Sequence, residues 1–354
     1  MSKKIVDKAY CMSSFLALRY VADPNKIFAE GIVHQPLDRI PEDEMIGCAT
    51  AEDIDRAISQ TMSNTNLSYA GLLLSGGIDS GILAAYMPRG ANAYTVHNES
   101  KKNDLEVERA AKICEAAGLN HVVVEVTWKD YEDIMDTLSL RDGCPVFGNE
   151  PQLYYLIKRA KEDGCDTIIL GDNADMAFGG MDGLLSKDWQ YNEFIDRYTF
   201  VEPQKVLKNP ININYIYEDY REGDGIDVIT FLNDIFSSSS GVAYYNALRA
   251  LDMKWVDPYA NLKMSIPLDL NRVRNGDSKY LLRELYRMKY PEFSVPEKIP
   301  MARPMDLWMA DWAGPTREEF LPNCIDGMTG EQKYNIYSLE RFLNALERVD
   351  NGKK

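Results

Sequence analysis

Apolar and polar positions change period along the chain. Residues 70–74 form an unbroken apolar run, which fits a strand buried on both faces, and apolar positions resume after residue 80 at near-helical spacing through Ile82, Leu83, Ala85 and Tyr86. Between them lies Ser75-Gly76-Gly77-Ile78-Asp79-Ser80, so the pattern predicts strand, tight turn and helix over 78–87. Further strands are predicted over 91–98, 121–126 and 167–170, with helices over 104–117, 128–140 and 150–163 between them. Upstream, Thr50-Ala51-Glu52-Asp53 reads as a capping box, opening a helix whose buried stripe is Ile54, Ala57, Ile58 and Met62. Strands alternating with helices predict an α/β fold with a doubly wound parallel sheet and ligands beyond the carboxyl ends of its strands.

From about residue 186 the alternation disappears, Tyr, Trp and Met become frequent, and helical spacing dominates over 242–251, 280–290 and 337–349. This half is predicted to be mainly helical, with the serine run at 237–240 as a turn and helix cap. Residues 1–48 read as a lead-in of two short packed elements around Asp23-Pro24-Asn25. The expected division is therefore 1–48, an α/β core over 49–185, and the helical part over 186–354.

A formal net charge of −16 argues against a grip on nucleic acid through clustered Lys and Arg. A hydrophobic share of 45% with 27% charged residues is that of a globular protein. The six cysteines include no C-x-x-C pair, which points to reduced thiols in a cytoplasmic protein rather than a zinc site or disulfide framework. Asp7, Lys8 and Arg19 interrupt the first apolar stretch and spoil a signal peptide, and no run is long enough for a membrane span. His34, His97 and His121 show no partner spacing.

Three segments carry candidate chemistry. Glycines at the 75–80 turn let the backbone approach a bound group, and the following helix start favours an anion, most often phosphate. Asp79 would repel a phosphate unless a divalent cation lay between them, so the turn points to Mg²⁺ with a polyphosphate. A plain tight turn with Ser80 or Asp79 capping the helix is the other reading. The second segment, Gly171-Asp172-Asn173-Ala174-Asp175-Met176-Ala177-Phe178-Gly179-Gly180, also fits a capped turn, but it ends a neighbouring strand and could set Asp175 across from Asp79. Third, Lys279 in Asp277-Ser278-Lys279-Tyr280-Leu281-Leu282-Arg283 reads by itself as a solvated helix-end lysine.

Taken together, over most of residues 12–310, these segments resemble the synthetase domain of the asparagine synthetases and β-lactam synthetases, within the N-type ATP pyrophosphatases (PP-loop, HUP-like). The resemblance implies ATP and Mg²⁺, adenylation of a small-molecule carboxylate with release of pyrophosphate, and attack by ammonia or an amine. It places pyrophosphate at Ser75, Gly76, Gly77, Asp79 and Ser80, metal at Asp79 and Asp175, and charge neutralisation during adenylation at Lys279, followed by Pro296, Pro300, Arg303 and Pro304. Leu74, Val96, Leu170 and Gly171 match adenine-contacting positions, though each also fits a core position. Three departures stand out: Asp172 replaces a glutamate, Asn173 a glycine and Met176 a glutamate, with Gly179-Gly180-Met181 continuing as in the β-lactam synthetases. Asp172 is the candidate for orienting or deprotonating the amine. The chain opens Met1-Ser2 where the family's glutaminase would need a nucleophilic cysteine, so the expectation is a synthetase unit supplied by free ammonia, a separate glutaminase subunit or the substrate's own amine. Intramolecular ring closure and a non-catalytic nucleotide-binding subunit are the alternatives.

Overall fold

The computed structural model describes residues 3–34, 40–299 and 301–352. Its centre is a sheet of five parallel strands: β1 (Ala70–Leu73), β2 (Asn92–His97), β3 (Asn120–Glu125), β4 (Thr167–Ile169) and β5 (Lys254–Val256). Their order is β5-β4-β1-β2-β3. The chain winds outward from β1 to β3, then crosses back to lay β4 on the other side of β1. Winding therefore reverses between β1 and β4, where open parallel sheets form their ligand crevice. The two chemically loaded turns are the carboxyl-terminal exits of these two strands.

Both sheet faces are covered, which explains why the strands read as continuous apolar runs. Side chains alternate between faces. Leu72, Leu74, Ala93 and Ile169 join one core with Ile54 and Ile58 of α2 (Ala51–Ser63), Ile82 of α3 (Ile78–Ala84), and Leu282 and Leu285 of helix Tyr280–Lys289. Leu73, Tyr94, Val96, Ile168 and Leu170 join the other with Leu138 of α5 (Trp128–Asp142), Leu153 and Ile157 of α6 (Glu150–Glu162), and Leu248 of helix Ser237–Ala250. The Thr50–Asp53 capping box forms, and the stripe Ile54, Ala57, Ile58 and Met62 is buried.

A third core holds the helical half. Residues 10–18 of α1 (Lys8–Leu18) are all buried, so this helix has no solvent face. It packs with Phe194, Tyr217 and Phe231, and with Phe342 of the long helix Gly330–Gly352. The first segment is thus a central element of the helical half.

Two expectations change. β5 comes from the half predicted to be helical; it is only three residues, Lys-Trp-Val, and is a strand because it pairs with β4. The serine run at 237–240 continues a helical turn at Leu232–Phe236 into helix Ser237–Ala250 and is helix rather than turn; its side chains lie outside the described residues, as does Pro300. The cysteines are unpaired. Among the described residues, no helix is long and apolar enough to cross a membrane.

Candidate active site

β1 carries the chain into the crevice with its last sheet bonds at Leu74, whose N–H donates to Tyr94 O (2.9 Å) and whose carbonyl accepts from Thr95 Oγ1 (2.7 Å). Gly76 then turns at φ +72°, and a Cβ there would lie 2.5 Å from the Glu106 carbonyl oxygen and 2.8 Å from Arg109 Cβ on α4 (Lys101–Ala117). Only glycine lets the turn both take this conformation and lie against α4. The Ser75 N–H donates to Ser80 Oγ (3.1 Å), the two hydroxyls are 3.1 Å apart, and the Gly77 N–H donates to Ser75 Oγ (3.3 Å). Ser80 is thereby used inside the loop. Gly77 is the cap position of α3 and supplies no side chain, so neither Ser80 nor Asp79 caps that helix. Its opening N–H groups remain available to an anion.

Across the reversal, the Asp175 turn meets this loop through Lys279. Lys279 Nζ lies 2.5 Å from Asp79 Oδ2 and 2.6 Å from Asp175 Oδ1, with its side chain 6% exposed. Lys298 Nζ adds contacts to Asp175 Oδ1 (2.8 Å) and to the Gly180 carbonyl (2.7 Å). Burial would lift Asp175, but Lys279 and Lys298 outweigh it and hold the carboxyl at about 2. Asp79 shares only Lys279; burial, with help from the Asp175 charge, pushes it up. The lysine between the two carboxylates is itself raised, because their fields overcome its burial. Asp79 Oδ1 is buried with no hydrogen-bond partner among the described residues, which leaves one carboxylate oxygen free to bind a cation.

These groups line a cleft of about 930 Å³ that also takes in Leu74, Ser75, Gly77, Ser80, Val96, Leu170, Gly171 and Asp172. Of the residues predicted for the site, Gly76 alone is not in its wall, because it faces α4. Lys279 is not a solvated helix-end lysine.

The sequence profile of the asparagine synthase family matches residues 50–238, more than half of the chain. This protein belongs to the asparagine synthase family. A candidate glutamine-hydrolyzing asparagine synthetase of Methanocaldococcus jannaschii is 26% identical over 140 residues, 36% of this chain and 25% of that protein. The match spans about a quarter of the relative's length. Among solved structures, an NH3-dependent NAD synthetase from Campylobacter jejuni shows 20% identity over 36% of this chain and 58% of its own, at a TM-score of 0.24. An NMN synthetase from Francisella tularensis shows 11% identity over 74% of this chain and all of its own, at 0.27. The fold assignment rests on the strand order and register described above.

Three parts of this asparagine synthase-family site were not read from the sequence. Lys298 is a second cation on the Asp175 turn, while Arg303 pairs with Glu331 (2.8 Å). Asp257, directly after β5, braces the second turn: its Oδ2 accepts the N–H groups of Asp172 (3.2 Å) and Asn173 (3.1 Å) and the Asn173 side-chain amide (2.9 Å). This contact gives Asn173 a use where the resemblance expects glycine. Tyr259 completes the brace by donating to the Asp79 carbonyl (3.0 Å). The sequence signal for both was the Asp257-Pro258-Tyr259 break after an unrecognised strand. Met176, where a glutamate was expected, lines the cleft and packs against the core of the helical half.

Asp172 is raised to about 8, chiefly by burial and then by the charges of Asp257, Asp175 and Asp79. A carboxyl raised on folding stabilises the protein below the ordinary carboxylate range and loses that contribution as pH rises through the folded value. Asp172→Asn is therefore expected to raise the ligand-free Tm at pH 8–9 and to flatten its decline from pH 5 to 9. Thermal scans of both proteins across that range check it; parallel curves would contradict the assignment.

Proposed function

We propose that this chain is an ATP-dependent carbon–nitrogen ligase that adenylates a small-molecule carboxylate, releases pyrophosphate, and joins ammonia or an amine to the activated acid. The observation that supports this best is Lys279 held between Asp79 and Asp175 at the reversal of the sheet, beside a glycine loop whose helix start has no side-chain cap. Asp79 and Asp175 would hold Mg²⁺, consistent with the free Asp79 Oδ1. Among the described residues no cluster of three or more His, Cys, Asp or Glu offers a metal site, so further ligands fall to polyphosphate oxygens and water. When bound, the ion neutralises polyphosphate charge that Asp79 would otherwise repel.

In the first step a substrate carboxylate oxygen bonds to the α-phosphorus of ATP as the bond to pyrophosphate breaks. Lys279 supplies positive charge where the leaving pyrophosphate accumulates negative charge. In the second, nitrogen bonds to the acyl carbon, AMP leaves with the carbon–oxygen electron pair, and the nitrogen gives up a proton. Asp172, in the cleft wall and raised to about 8, can receive it in its ionised form, which becomes the main form only above that value. Leu74, Val96, Leu170 and Gly171, at the ends of adjacent strands, would flank adenine.

The test is a pyrophosphate-release screen over small carboxylic acids, with ammonia, glutamine and amines varied separately. Release that depends on one acid and falls at least a hundredfold in Asp79→Asn is the expected result; absence of release with every acid, or no change in the variant, sinks the proposal. Product mass then separates the routes. Replacement of a hydroxyl by an amino group indicates amidation, while loss of one water from a single substrate indicates the ring closure that Met176 and Gly179-Gly180-Met181 bring to mind.

A further inference from the structure

The two edges of the central sheet are built differently. At one edge β5 is three residues long, begins with the exposed Lys254 and runs into Asp257-Pro258, features that keep an edge from pairing with another chain. At the other edge β3 has none of these devices. It pairs with β2 in unbroken register from Asn120 to Glu125 and contains no proline, lysine or arginine. Among the described residues no strand lies on its outer side.

The register fixes which groups face outward. Asn120 N–H donates to Ala91 O and Val126 N–H to His97 O, both at 2.9 Å. In a parallel ladder alternate residues bond to the neighbour, so Asn120, Val122 and Val124 spend their backbone groups on β2, and His121, Val123 and Glu125 turn theirs outward. Val123 is 37% exposed, an apolar side chain in the middle of that open row. A row of unpaired N–H and C=O groups is a template for a further strand.

This strand is complementary to itself. Set antiparallel against its own copy about a two-fold axis at Val123, it brings Val123 opposite Val123, His121 opposite Glu125 and Val122 opposite Val124. All three outward residues then form hydrogen-bonded pairs, which exchange about six bonds. Valine meets valine on the face where Val122 and Val124 already pack against the core. An axis at residue 125 would instead oppose two carboxylates, and one at residue 121 would leave Glu125 beyond the ladder. His121 has Nε2 2.9 Å from Thr95 Oγ1 and, among the described residues, no partner at Nδ1, so it can donate to a carboxylate across the edge. The strand ends match as well. Asp104 and Glu125, 61% and 69% exposed, flank His97 at the carboxyl end, while the exposed Arg89 lies against Gly118 at the amino end and makes no ion pair among the described residues. The same two-fold axis brings each Arg89 towards the other copy's carboxylates.

We propose that β3 is the docking edge for a second copy of this chain, giving a two-fold dimer in which the two sheets run on as one. The opposite edge is protected, so the contact closes on itself and does not propagate. The inference is independent of the adenylation reading.

Sedimentation equilibrium of the full chain across the micromolar range tests it, with thermal scans to confirm that each variant folds. The expected result is a monomer–dimer equilibrium that Val123→Lys weakens at least tenfold. Val123→Pro, which removes an outward N–H and no bond to β2, is expected to do the same. Cross-linking checks the register, and decides the matter if neither variant folds. With a methylene-bridged bis-methanethiosulfonate, Val123→Cys is expected to join two copies at least tenfold faster than Glu125→Cys, because residue 123 faces itself and residue 125 does not. The native protein, whose cysteines are unpaired and buried or half-buried, is the blank. A chain that stays monomeric at every concentration, a dimer that survives Val123→Lys, assembly beyond the dimer, or equal cross-linking at residues 123 and 125 overturns the proposal.

Discussion

Gly180→Ala is expected to lower pyrophosphate release by a hundredfold or more, although it adds one methyl group. A Cβ at residue 180 would fall 1.9 Å from Asp175 Oδ1, 2.2 Å from Lys279 Cε and 2.9 Å from Asp175 Cα. None of these is the loose end of a side chain. Asp175 is fixed by two lysines, and the Gly180 carbonyl itself accepts from Lys298. The methyl group must therefore either separate Asp175 from Lys279 or lift the turn out of the crevice. Each outcome misplaces the charge that the proposed adenylation would direct at its leaving group, an effect of roughly 10²–10³ in rate for a single lost donor. Steady-state pyrophosphate assays beside a thermal scan check this, and activity within tenfold of native would show that the turn can yield.

Lys279→Met is the second large change, and its expected signature is in stability as well as rate. Methionine keeps much of the bulk but leaves Asp79 and Asp175 facing each other without their shared ammonium. Removing one member of a buried ion pair costs about 3–5 kcal/mol. The lower end applies here, because the two carboxylates are 21% and 30% exposed and keep some water. The pH dependence has a definite sign. Asp175 sits at about 2 in the native protein, so its contribution is complete above the ordinary carboxylate range and is lost as pH falls towards 2. The deficit of Lys279→Met should thus be largest at pH 7 and shrink on acidification. Urea unfolding at pH 7 and pH 4 measures it; a deficit that grows at low pH would mean that Lys279 stabilises through something other than these carboxylates.

The sheet and its two loaded turns were legible because they are local. An apolar run, a glycine turn and a capping box each declare themselves within about ten residues, and their carboxyl-end placement follows from alternation of strands and helices. What could not be read depends on partners far along the chain. Lys254-Trp255-Val256 is a strand only because β4 offers an edge, and without it Asp257 has no visible reason to brace residues 172 and 173. Lys298 lies in a proline-rich stretch with no period to point its side chain. Arg19 was visible as a charge breaking an apolar stretch, but the rings that its guanidinium lies over, Phe147 and Phe200, come from far along the chain. Lys279 could be read as a site cation through the resemblance; Lys298 on the Asp175 turn and the rings around Arg19 could not.

The contact between Asp79 and Lys279 spans 200 residues. A growing chain could form the glycine loop early, yet that loop would stay an unpaired carboxylate turn until the helix opened by Lys279 had been made and docked. Closing so long a loop is slow in folding because its entropy must be lost before the contact repays it. The Asp79–Lys279 contact is therefore expected to close late in maturation, and nucleotide binding at the proposed site to follow it.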